Sequence, residues 1–139
     1  MANVEMSVEL GAPAATVWDF IGGFDALERW HPAIESSPAT KEGGRTIRRL
    51  ALQGGGTVVE ALEHHDDGAR RYSYTILSGP LPVANYWSEL CVEEHGPERC
   101  LVRWGSRFEP DGIPEPEAVA TMRGVYAAGL DKLKERFGG

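Results

Sequence analysis

The chain has 139 residues, 42% hydrophobic and 25% charged, the makeup of one soluble domain (1–139) with a real core. A formal net charge of −7 argues against nucleic acid or an anionic membrane surface as the main partner, because both require a basic face. No apolar run reaches the length of a membrane span, and no export signal is visible, so the cytoplasm is the expected location.

Val4, Met6, Val8 and Leu10 alternate with Glu5 and Glu9, which reads as a first strand. Residues 13–21 follow as a short helix with apolar Val17, Trp18, Phe20 and Ile21, ended by Gly22-Gly23. A second short helix is expected over 25–30, capped by Asp25 and stopped before Pro32. A weaker strand is expected over 34–40. A meander then runs through strands near 45–52, 57–65, 70–78, 84–94 and 99–109, separated by Gly-rich or Asp-Gly turns. The longest helix closes the chain over 114–137. Pro114 and Pro116 suit its first turn, Glu115 and Glu117 its N-terminal dipole, and Lys132, Lys134 and Arg136 its other end. Val119, Met122, Val125 or Tyr126, Gly129, Leu130, Leu133 and Phe137 form its apolar stripe. Gly124 and Gly129 inside this helix predict close contact with the sheet, or else room for a ligand. The whole is α+β, with the helix stripe buried against the concave face of a curved sheet.

One hairpin carries the strongest functional signal. With Gly54 at the apex of the Gln53–Gly56 turn, Arg48 faces Glu60, Leu50 faces Val58 and Leu52 faces Gly56. Arg48 and Glu60 then share an inward face with Leu50, Leu52, Val58 and Leu62. Two charges on such a face must be paired or placed in a cavity. Extending the register past the Asp66–Ala69 turn puts Tyr72 and Tyr74 on the Glu60 side.

Other chemistry is sparse. Cys91 and Cys100 fall on opposite strand faces, which predicts free thiols, and their spacing fits no zinc motif. His64 and His65 point to opposite faces, and His64 shares a face with Glu60 at about 13 Å along the strand, so no metal site is expected. No phosphate loop or activated nucleophile is evident, and no cofactor is expected.

Several stretches resemble the START/Bet v 1-like (SRPBCC) superfamily, and within it the bacterial polyketide cyclase/dehydrase-like branch. They are Val17-Trp18, Trp30-His31-Pro32, residues 47–52, Val59-Glu60-Ala61-Leu62, Tyr72-Ser73-Tyr74, residues 79–86 and Trp104. The resemblance spans nearly the whole chain. It implies a helix-grip fold: a seven-stranded antiparallel sheet wrapped around a long C-terminal helix, with two short helices after the first strand and a hydrophobic cavity inside. Arg48 and Glu60 resemble the arginine–glutamate pair thought to move protons in lachrymatory factor synthase. The segments around Glu60 and around Tyr86-Trp87-Ser88 are similar to the pocket of the abscisic acid receptors. Gln53–Gly56 would then be a gate and residues 79–83 a latch. The receptors' signature gate and latch sequences are absent, so hormone sensing is not implied.

These readings give a candidate ligand site of Trp30, His31, Arg48, Glu60, Tyr74, Tyr86, Ser88, Trp104 and Tyr126. The expected partner is a small hydrophobic or aromatic, lipid- or polyketide-like molecule. Alternatively, Glu60 acts as general base, with Arg48 stabilising an oxyanion, in a cofactor-free cyclase/aromatase, dehydratase or isomerase. His31 could titrate near neutrality and serve as acid or base. A third reading is a non-catalytic protein-binding or assembly module, which predicts an exposed apolar patch and no cavity.

Overall fold

The computed structural model describes residues 1–139. β1 (Ala2–Leu10) leads into α1 (Ala14–Ile21) and one turn of 3-10 helix at Leu27–Arg29. Then come β2 (Ile34–Ser36), β3 (Ala39–Glu42), β4 (Arg45–Leu52), β5 (Thr57–Asp66), β6 (Arg71–Ser78), β7 (Val83–Glu94), β8 (Cys100–Pro110) and α2 (Glu115–Phe137). The sheet is antiparallel in the order β1-β8-β7-β6-β5-β4-β2, with β3 also paired to β4. The helix-grip architecture expected from the sequence is therefore present.

The expected single strand over 34–40 is two segments, because the outermost strand breaks at Ser37-Pro38. Proline has no N–H for the ladder, and Ser37 turns fully inward. Its hydroxyl donates to the Asp25 carbonyl at 2.8 Å and accepts the Glu28 N–H at 3.2 Å. Its own N–H donates to the Glu28 carboxylate at 3.1 Å. Asp25 does not cap the 3-10 turn with its side chain, contrary to expectation: the cap position is Ala26, with no side-chain bond. Ser37 instead satisfies this turn from across the chain.

The β4–β5 hairpin keeps the expected register, with Arg48 opposite Glu60 and Leu50 opposite Val58. Three bulges bend the following strands. Leu77 is the extra residue of β6 between the Val59–Ser78 and Glu60–Ile76 pairs, and it is left half exposed. Glu63 is the extra residue of β5, so His65 rather than His64 pairs with Tyr72. His64 therefore does not share the Glu60 face, as strict alternation had predicted. His65 packs its ring edge-on to Trp18 and Tyr72. The third bulge lies in β7, where Asn85 adopts a φ of 51°. Asparagine tolerates this left-handed conformation better than most residues. Its side chain donates to Glu109 at 2.6 Å, and the next residue, Tyr86, points inward and is buried.

α2 buries Ala118, Met122, Tyr126, Gly129, Leu130 and Leu133, and packs mainly on β1 and β8. Its two interior glycines differ. A Cβ on Gly129 would lie 2.8 Å from Trp30, 2.9 Å from His31 and 3.0 Å from Trp104. A Cβ on Gly124 would meet nothing within 4 Å. Gly124→Ala is therefore expected to stabilise the protein by about 1 kcal/mol, through helix propensity alone. A urea titration would show a higher midpoint at unchanged slope; a lower midpoint would mean that Gly124 serves a contact after all. Cys91 and Cys100 are both free thiols, as expected.

Candidate functional site

Between the inner sheet face, segment 27–34 and α2 lies a cavity of about 200 Å³. Of its 17 lining residues 14 are hydrophobic, and the other three are His31, Gln53 and Glu60. Leu50 and Val58 come from the hairpin, Ile76 and Tyr74 from β6, Met122 and Tyr126 from α2. Leu81 and Gln53 come from the two expected loops.

Glu60 is the only acidic group of this wall. Its Oε1 accepts from Arg48 Nε at 2.7 Å, and its other oxygen has no protein partner. Arg48 is wholly buried. Its Nη1 donates to the Phe24 carbonyl at 2.9 Å and to the Tyr72 hydroxyl at 3.2 Å. The guanidinium carbon sits 4.1 Å from the Phe24 ring centroid and 4.7 Å from that of Tyr74. Nη2 has no hydrogen-bond partner in this aromatic box. Such stacking suits a guanidinium, which is weakly hydrated and planar. Arg48 thus stands behind Glu60 and does not line the cavity, contrary to its place in the expected ligand site. Its charge acts on Glu60. Burial pushes the Glu60 carboxyl above its ordinary value, partly offset by the Arg48 charge and hydrogen bond.

The tyrosines form the opposite kind of polar surface. The Tyr86 and Tyr126 hydroxyls bond to each other. The Tyr74 hydroxyl accepts from Trp104 Nε1 at 3.0 Å. Burial raises the pKa of all three phenols, and those of Tyr74 and Tyr86 well above the ordinary value, so they remain protonated donors. Ser88 does not reach the cavity, since its hydroxyl donates to the Gly105 carbonyl at 2.8 Å. Its cross-strand partner Ser106 has a buried hydroxyl with no partner.

His31 lines the cavity but is buried, with both ring nitrogens in use. Nδ1 accepts from the Ala33 N–H at 3.1 Å, so Nε2 carries the proton and donates to the Val125 carbonyl at 2.7 Å. Burial lowers its pKa from 6.5. It is a clamp between segment 31–33 and α2, with no free ring nitrogen to serve as the acid or base that the sequence allowed. Because the folded state holds it neutral, its stabilising contribution is present above 6.5 and lost as pH falls through the lower folded value. An NMR titration should show His31 as the Nε2–H tautomer, with a midpoint below 6.5; a midpoint at or above that value would contradict the clamp. Trp30 lies one layer behind the wall, 5.2 Å from the Trp104 ring, with its Nε1 unpartnered.

Of the nine expected site residues, His31, Glu60, Tyr74, Tyr86, Trp104 and Tyr126 meet at the cavity, while Trp30, Arg48 and Ser88 stand outside it. Phe24, which roofs Arg48, was not foreseen. Its only sequence signal is an isolated aromatic after Gly22-Gly23.

The family model described as polyketide cyclase / dehydrase and lipid transport matches residues 1–138. The chain belongs to this family, and it shares the fold of a START superfamily protein from Mycobacterium smegmatis. XoxI of Bacillus cereus is 40% identical, with a TM-score of 0.94 over 99% of this chain and 96% of that one. A protein of Bacillus thuringiensis is 39% identical, with a TM-score of 0.92 over 98% of each chain. The Zhui aromatase/cyclase of a Streptomyces species shares the fold at 20% identity, with a TM-score of 0.78 over 97% of this chain and 92% of that one. No curated protein matches the sequence. No helix is long and apolar enough to cross a membrane.

Proposed function

We propose that the protein binds a small hydrophobic or aromatic molecule in this cavity, with Glu60 as its polar anchor. The observation that carries this reading is a carboxylate oxygen without a protein partner in a mostly apolar wall. An apolar cavity of about 150 Å³ takes benzene. One of about 200 Å³ therefore suits a single substituted ring or a short chain. A multi-ring polyketide would need the loops at 53–56 and 79–83 to move.

The second reading is catalytic: Glu60 as general base toward a carbon acid beside a carbonyl. It is favoured by the upward shift of the Glu60 carboxyl, which makes a stronger base, and by the aromatase/cyclase named among the structural relatives. The partner-module reading is not favoured, because the only exposed large hydrophobics are Met1 and Leu77.

The test is a panel of single-ring aromatics followed by thermal shift and by NMR. Binding should raise the melting temperature and perturb Glu60, Tyr74 and Tyr86. Perturbations confined to the outer sheet face would sink the reading. Turnover lost in Glu60→Gln with binding retained would promote the catalytic alternative.

A further inference from the structure

The cavity's charge is balanced before any ligand enters. The one carboxylate on its wall, Glu60, already has its counter-ion in Arg48 at 2.7 Å. Arg48 is cationic at any accessible pH and is sealed from the cavity by Phe24, Tyr72 and Tyr74. No lysine or arginine lines the cavity. His31 is neutral and has both nitrogens committed. A ligand carboxylate would thus be buried with no cation to meet it, beside an unpartnered carboxylate oxygen. A ligand ammonium would meet a carboxylate whose charge is already spent, leaving the buried group of three with a net positive charge. Both outcomes are disfavoured by desolvation.

Hydrogen-bond polarity is equally specific. Tyr86 and Tyr126 carry two hydroxyl protons, and their mutual bond uses one. The other has no acceptor in hydrogen-bond geometry, its nearest candidates being the Ser88 and Ser106 hydroxyls. Tyr74 accepts from Trp104, and its own proton likewise has no protein acceptor. The tyrosine side of the cavity therefore offers donors, and Glu60 offers an acceptor.

Resting on the binding function proposed above, we propose that the cavity selects neutral ligands that combine a hydroxyl or N–H donor, directed to Glu60, with a carbonyl or ether oxygen that accepts from the tyrosines. Tyr126, reaching in from α2, is a specificity-determining residue for that oxygen.

Near-isosteric probes that differ in charge test this by calorimetry at neutral pH. They are meta- and para-hydroxyacetophenone (neutral), para-hydroxybenzoate (anion), tyramine (cation), acetophenone, which lacks the donor, and phenol, which lacks the ketone. The better hydroxyacetophenone isomer should bind at least about tenfold more tightly than either charged probe and about tenfold more tightly than acetophenone. Tyr126→Phe should weaken the hydroxyacetophenone by about tenfold and leave phenol binding unchanged. Equal binding of the benzoate or of tyramine in the wild-type protein overturns the charge selection while leaving the binding function standing. Equal loss of ketone and phenol in Tyr126→Phe overturns the assignment of Tyr126. Failure of all the probes at millimolar concentration removes both the selectivity and the binding reading.

Discussion

Arg48→Met is expected to destabilise the protein by about 3–5 kcal/mol, because it leaves the Glu60 carboxylate buried without its partner. It also orphans the Phe24 carbonyl and the Tyr72 hydroxyl, both of which accept from Arg48 Nη1. The control is the double variant Arg48→Met/Glu60→Leu. A buried ion pair replaced by apolar groups of similar volume is often neutral or even stabilising, so the double variant should regain most of the loss. The pH dependence supplies an independent check. Without Arg48 the Glu60 carboxyl rises further in the folded state. Stability of the single variant is then greatest below the ordinary carboxyl value of 4.5 and declines as pH rises through the folded value. Urea midpoints across this range would show it. A loss below about 1 kcal/mol would mean that the pair contributes little and that Glu60 finds another partner.

Gly129→Ala should cost about 1–3 kcal/mol, the usual penalty of overpacking. The new methyl would press on three aromatic rings at 3.0 Å or less. None is the loose end of a flexible chain. Trp104 is held by its bond to Tyr74 and by stacking on Tyr126 at 4.6 Å between ring centroids. His31 is held at both nitrogens. Relief must come from moving α2 away from the sheet, which would reshape the cavity wall at Trp104 and Tyr126. Gly129→Ala should therefore alter ligand affinity as well as stability, whereas Gly124→Ala on the same helix should raise stability and leave affinity unchanged. If both substitutions move stability in the same direction, the close approach at Gly129 is not real.

The two glycines show how far sequence reasoning reaches. Both stand in the interior of one helix, but only Gly129 falls on its apolar stripe, so spacing alone separates the buried position from the exposed one. How tightly Gly129 is packed is set by tertiary neighbours that the sequence does not show. The β4–β5 hairpin was legible because a short glycine turn fixes register, and alternation then carries it along both strands. Farther from the turn alternation fails at bulges, which single residues such as Glu63 and Leu77 create without a clear sequence mark. That is why His65, and not His64, came to the inner side. The buried Arg–Glu pair was legible as an anomaly of polarity. Which of its members faces the cavity was not, because that depends on Phe24, brought over Arg48 by a loop with no periodic signal. The clamp made by His31 was not legible for a similar reason: its second partner, the Val125 carbonyl, lies 94 positions away.

The break at Ser37-Pro38 also bears on solubility. A sheet edge is a template on which a second chain can add a strand, the first step toward aggregation. Here the side of the sheet beyond β4 offers only three residues of β2 and four of β3, offset by an inward kink that Ser37 anchors. A foreign strand cannot keep register across that step. Repairing it, by replacing Pro38 with a strand-forming residue and releasing Ser37, would create a longer edge and a protein prone to self-association, even if the monomer were no less stable.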